Sequence, residues 1–165
     1  MHMELDTLDY NILHELERDS RTKLKTLART LRTSITTVNN RIRKLRKEGI
    51  IQAFSAKLNY EELGYTVKAV IGVSIQKQHI ITFETELSRH PNVTCVYDVT
   101  GTFDSVIVTR FRSVRELDSF LKTDLVRPYI TETQTFIVLN TRKEDFRIPA
   151  AGTKLKKTGM PPIHS

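Results

Sequence analysis

The chain has 165 residues, 26 of them Lys or Arg against 19 Asp or Glu, for a formal net charge of +7, and a single cysteine, Cys95. That length allows one large domain or two small ones, and one cysteine excludes an intrachain disulfide and fits a reducing, cytoplasmic compartment. No apolar run approaches the roughly 20 residues of a membrane span, and the acidic, amphipathic N-terminus does not read as a secretory signal. The charge is uneven: residues 1–60 carry 12 basic and 7 acidic groups, residues 61–148 carry 11 and 12, and residues 149–165 carry 3 and none. A basic N-terminal module, a near-neutral body and a basic tail are therefore expected.

The first helix is expected from Leu5, Leu8, Ile12, Leu13 and Leu16, which recur at helical spacing. Asp6 reads as its N-cap and Asp9 as a favourable charge in its first turn, with His14 on its exposed side. A short second helix follows Thr22, with Leu24, Leu27, Ala28 and Leu31 inward and Lys23, Lys25 and Arg29 outward. After the turn Leu31-Arg32-Thr33-Ser34, Ser34 caps a third helix whose apolar stripe is Ile35, Val38, Ile42 and Leu45, stopped at Gly49.

At 100° per residue the opposite side of this third helix carries Thr36, Asn40, Arg43, Lys44 and Lys47. Thr and Asn can reach base edges, and Arg and Lys can reach phosphates or guanine. The stretch Arg21 to Lys47 holds ten basic residues and no acid, the electrostatic footprint of a surface that sits on phosphate. A solvated face is the bland alternative, but such faces usually intersperse Glu. Together with Ser34, Thr37, Asn39 and Arg41, and with Lys23 and Lys25 of the second helix, these residues form the expected contact set for double-stranded DNA.

Residues Ile50 to Leu58 read as an extended link, with a boundary at Gly64. From Thr66 the period changes. Val67 to Ile75 alternate as a strand, Ile80, Phe83 and Leu87 mark a helix, and Val93, Cys95, Tyr97 and Val99 alternate again. A turn at Gly101-Thr102-Phe103-Asp104 leads to a strand through Val106 and Val108. Ser113 then caps a helix with Val114, Leu117, Phe120 and Leu121, and Thr133, Thr135, Ile137 and Leu139 form a last strand. The fold class is α+β: a helix-turn-helix (winged-helix-like) domain over 1–50, a link with an extended strand over 51–64, a ferredoxin-like βαββαβ domain over 65–146, and a disordered basic tail over 147–165. The sheet face without helices needs a cover, and a second copy in a homodimer is the simplest one.

The run Leu5-Asp6, Asp9, Ile12-Leu13, Leu16, Arg21, Leu27-Ala28, Ser34, Arg41-Ile42, Leu45 and Gly49-Ile50-Ile51 resembles the DNA-binding half of the Lrp/AsnC (leucine-responsive regulatory protein, feast/famine) family of transcription regulators. Gly101-x-x-Asp104 and Thr133-x-Thr135-x-Ile137-Val138-Leu139 resemble its amino-acid-binding and oligomerisation domain, so the resemblance spans nearly all of residues 4–145. It implies a dimer assembling further to a tetramer or octamer. It also implies an amino-acid effector site between dimers, carried over by motif to Gly101, Thr102, Asp104, Thr133 and Thr135, with Asp104 opposite the ammonium. The chain departs from the family at the turn, where Arg32 and Thr33 stand for Gly and Leu, so an altered turn is expected.

The five histidines lack metal-ligand spacing, and there is no phosphate loop or nucleophile elbow, so neither a metal, a cofactor nor an enzymatic activity is expected. Two rivals stay open on sequence: an architectural protein coating DNA with little sequence choice, and a siroheme-decarboxylase-like enzyme, which the acid-free helix argues against.

Overall fold

The computed structural model describes residues 4–145, so the basic tail expected from 147 onward lies outside the described residues. The chain divides into two compact units, one running to Lys57 and the other spanning Leu58–Glu144.

The first unit is three helices, α1 (Thr7–Arg18), α2 (Leu24–Thr30) and α3 (Ile35–Lys47). A reciprocal capping box starts α1: the Asp9 N–H donates to Asp6 Oδ1 at 2.9 Å, and the Asp6 N–H donates to Asp9 Oδ2 at 3.2 Å. Ser34 starts α3, its Oγ accepting the Thr37 N–H at 3.0 Å. Ile12, Leu27, Val38 and Leu45 are fully buried between the helices. Each contributes about 1.5–3 kcal/mol by leaving water, which is how helices this short hold their shape.

Helices α2 and α3 end in the same way. At the end of α3, Gly49 N–H donates to Arg46 O at 3.1 Å and Ile50 N–H to Leu45 O at 2.9 Å. At the end of α2, Arg32 N–H donates to Arg29 O at 3.3 Å and Thr33 N–H to Ala28 O at 2.9 Å. Both are Schellman closures, which require a left-handed residue. Gly49 adopts φ 72° without steric cost, whereas Arg32 is held at φ 51°. The turn therefore keeps the conformation glycine would take and accepts a strain on the order of 1 kcal/mol, so the expected alteration is one of energy and not of shape.

The second unit contains β1 (Val67–Ile75), a single 3-10 turn (Lys77–His79), α4 (Ile80–Leu87), β2 (Val93–Asp98), β3 (Ser105–Phe111), α5 (Val114–Thr123) and β4 (Ile130–Ile137). All pairings are antiparallel, in the order β2-β3-β1-β4, the arrangement of a ferredoxin-like sheet. Alternation sends Ala69, Ile71, Val73 and Ile75 of β1, with Ile107 and Phe111 of β3, into one core with Phe83 and Leu87 of α4 and Leu117 and Phe120 of α5. The opposite face carries Val70, Val108, Cys95 and Phe136 in register, beside Tyr97. Phe136 and Tyr97 there are 50% and 47% exposed.

Several sequence expectations are corrected. No strand forms between Ile50 and Leu58: the segment pairs with no strand among the described residues. Residues 58–64 belong to the sheet unit, where Arg112 Nη1 donates to Leu63 O at 3.1 Å. The last strand begins at Ile130 and stops at Ile137, leaving Leu139 89% exposed. Ile35 is 48% exposed, since as the first residue of α3 it lies at the edge of the apolar stripe. His14 is half-buried, with Nδ1 shielded from solvent.

Candidate nucleic-acid interface and effector loop

On α3, Thr36, Asn40, Arg43, Lys44 and Lys47 are all exposed, and Val38 and Leu45 on the opposite side are buried. The stripe is therefore fixed by two core residues of its own helix and by the Ser34 cap, which sets where the helix begins. Lys23 and Lys25 are exposed at the start of α2, and Arg46 adds an exposed cation that the stripe omitted. Ser34 and Thr37 spend their hydroxyls on one another, 2.8 Å apart, while Asn39 is half-buried at the flank.

Arg41 has a different role from the one expected. Its Nη1 lies 2.7 Å from Asp6 Oδ2 and 3.0 Å from Asp9 Oδ2, so the guanidinium clamps α3 to the capped end of α1. The Asp9 backbone N–H first, then Arg41, holds the Asp6 carboxyl below the usual carboxylate range. In return the hydrogen bond from Asp6 first, and the charge of Asp9 next, holds the guanidinium still more firmly charged. Arg41 is withdrawn from the phosphate-facing set by this pair of carboxylates. Nothing in the sequence signals such a contact, because its members are 32 positions apart.

The Gly101–Asp104 loop folds against the end of β1. Asp104 N–H donates to Val73 O at 3.1 Å, and Asp104 Oδ2 accepts the Ile75 N–H at 2.7 Å, where the β1–β4 register shifts. The Phe103 ring lies over Gly72, where a Cβ would stand only 2.4 Å from it. Ser105, buried beside the loop, donates its hydroxyl to the Glu84 carboxylate of α4. The carboxylate expected to meet an ammonium thus holds a backbone N–H through one oxygen.

Thr133 and Thr135 lie on the other side of β1, opposite Val73 and Ile71. Ser105 is opposite Val73 on the β3 side. With β1 between them, the backbones of Thr133 and of the loop stand two strand spacings, about 10 Å, apart. The five expected effector residues also line none of the shallow cleft of about 490 Å³ formed by Leu58, Tyr60, Leu63, Tyr65, Pro91, Val93, Thr94 and Arg110. There Arg110 stacks 4.6 Å from the Tyr60 ring centroid and pairs with Glu144 at 2.8 Å. Lys68 pairs with the same carboxylate at 2.9 Å, and this bond first, with Arg110 beside it, holds the Glu144 carboxyl below its ordinary range.

A three-helix module with an acid-free exposed stripe on its third helix, joined to a βαββαβ sheet domain, defines the helix-turn-helix class with an appended ferredoxin-like domain. Residues 5–46 match the AsnC-type helix-turn-helix domain and residues 68–148 the Lrp/AsnC ligand binding domain. The uncharacterized HTH-type transcriptional regulator PH1692 of Pyrococcus horikoshii is 43% identical over 146 residues, covering 88% of this chain and 99% of the relative. Among solved structures, Escherichia coli AsnC is 28% identical with a TM-score of 0.83, over 89% of this chain and 100% of AsnC. The transcriptional regulator NMB0573 of Neisseria meningitidis, solved as its L-Met complex, is 26% identical with a TM-score of 0.83, over 88% and 97%. The chain belongs to the Lrp/AsnC family of transcriptional regulators.

Proposed function

We propose that this chain is a sequence-specific DNA-binding transcription regulator that acts as a homodimer or higher assembly and is modulated by an amino acid. The observation that carries the DNA reading is the exposed stripe Thr36, Asn40, Arg43, Lys44 and Lys47 on a capped helix, within a stretch of ten bases and no acid. Arg43, Lys44 and Lys47 supply phosphate attraction, and Thr36 and Asn40 supply base readout. The dimer reading rests on the apolar sheet face of Val70, Val108 and Phe136, which a second copy would remove from water. Two such helices about a dimer axis engage half-sites one DNA turn, or a multiple of it, apart.

The effector reading rests on family membership and on the L-Met bound to the Neisseria relative. Because Asp104 and Thr133 flank β1 from opposite sides, the pocket takes groups from more than one chain. Fluorescence anisotropy on an operator selected from random DNA tests the first part. Lys44→Ala should weaken binding to every sequence and reduce the salt slope by about 0.9 per lost phosphate contact. Full affinity across the salt titration would refute the docking face. Calorimetry against L-methionine and the other amino acids, with sedimentation alongside, tests the second. Heat with one of them and a shift in assembly is the expected result, and no heat with any would refute the effector reading.

A further inference from the structure

Arg32 is the single non-glycine residue at positive φ among the described residues. The equivalent left-handed position at the end of α3 is filled by Gly49 with the same pair of closing hydrogen bonds, so the backbone by itself asks for glycine at 32 as well. The Arg32 side chain is exposed and makes no hydrogen bond or ion pair among the described residues, in contrast to Arg41, held by Asp6 and Asp9, and Arg18, held by Glu15. Neither backbone geometry nor an internal contact therefore favours arginine at this position. Strain retained without an internal return points outward, to a partner of the side chain.

The position says which partner. Arg32 stands two residues before Ser34, the cap of α3, and a recognition helix enters the major groove with its N-terminal residues at the base edges. The groove is about 12 Å wide and walled by phosphates, so the turn preceding the helix is carried to that wall. A guanidinium there presents a planar fork suited to bidentate phosphate binding. We infer that Arg32 is a DNA-phosphate contact placed at the turn at the expense of folding stability, so that affinity and stability oppose one another at this residue. The inference rests on the DNA-binding reading above and adds to it a contact outside the recognition helix.

Three variants of the full chain test it, with Lys44→Ala as the reference. Arg32→Gly relieves the strain and removes the charge, so its urea midpoint should rise while its salt slope falls by about 0.9 per bound helix. On that slope the affinity gap from wild type narrows about 3.5-fold between about 50 and about 200 mM salt. Arg32→Gln keeps the strain and loses the charge, so it should lose the same slope with no gain in midpoint. Arg32→Lys should keep most of the slope. If Lys44→Ala weakens binding but Arg32→Gly and Arg32→Gln keep the wild-type slope, the inference fails and the docking face stands. If Lys44→Ala also binds as wild type, both fail. A glycine variant that is less stable than wild type would likewise overturn the trade between stability and affinity.

Discussion

The exposed stripe of α3 and the Gly101–Asp104 loop use their polar groups in opposite ways. On α3 the side chains of Thr36, Asn40, Arg43, Lys44 and Lys47 make no hydrogen bond or ion pair among the described residues, and the helix is held by its buried side and its cap. In and beside the loop the polar groups are spent on the fold, Asp104 on the Ile75 N–H and Ser105 on Glu84, while the Phe103 ring packs over Gly72. Side chains on the first surface can be changed with little structural consequence, whereas a change in the loop alters the scaffold before it alters a ligand. Arg41 sharpens the contrast, because it shares α3 with the stripe and behaves like a loop residue, locked to Asp6 and Asp9.

The largest effect should come from Asp104. Asp104→Ala removes a charged acceptor from the Ile75 N–H, and losses of that kind run to about 1.5–3 kcal/mol. Chemical denaturation should show the drop, while Asp104→Asn, which retains an acceptor, should recover most of it. A fully stable alanine variant would show that the loop is not anchored there. Gly72→Ala comes next: its Cβ must displace the Phe103 ring, for which overpacking costs typically about 1–3 kcal/mol. Phe103→Ala in the same background should relieve the clash, and a double-mutant cycle measures the coupling.

On the stripe, by contrast, Asn40→Ala should leave the unfolding midpoint within about 0.5 kcal/mol of wild type. It should reduce discrimination at one base position by about 1–3 kcal/mol, read by binding to single-base operator variants. Unchanged discrimination would place Asn40 outside base readout. The smallest effect concerns Glu144, whose folded carboxyl is held below its unfolded value by Lys68 first and then Arg110. A depressed carboxylate adds stability that is present above the unfolded pKa and lost as pH falls through the folded one. Glu144→Gln should therefore lower stability slightly near neutrality and flatten the acid limb, so that variant and wild type converge at low pH, the effect being small because the pair is partly exposed and screened.

Most elements of both units were legible in the sequence because each follows from a period that side chains impose on their own segment. The alternation from Val67 to Ile75 and the caps at Asp6, Ser34 and Ser113 mark their elements within about a turn. The α3 stripe was legible for the same reason: five residues of one helix share a face wherever that helix is placed. The link over Ile50–Leu58 forms no strand, because a strand needs a ladder partner and partners are decided by the sheet, not by the segment.

The sequence by itself determined the helix-turn-helix, the order of strands and helices in the second unit, and the acid-free basic face, all of them consequences of local spacing and charge. Only the tertiary structure decided that Arg41 joins Asp6 and Asp9, that Asp104 fastens the end of β1, and that Thr133 stands across β1 from the loop. These depend on which distant segments meet. Even the left-handed Arg32 was settled that way: the local rule asks for glycine, and the packed helices on either side hold an arginine in glycine's conformation.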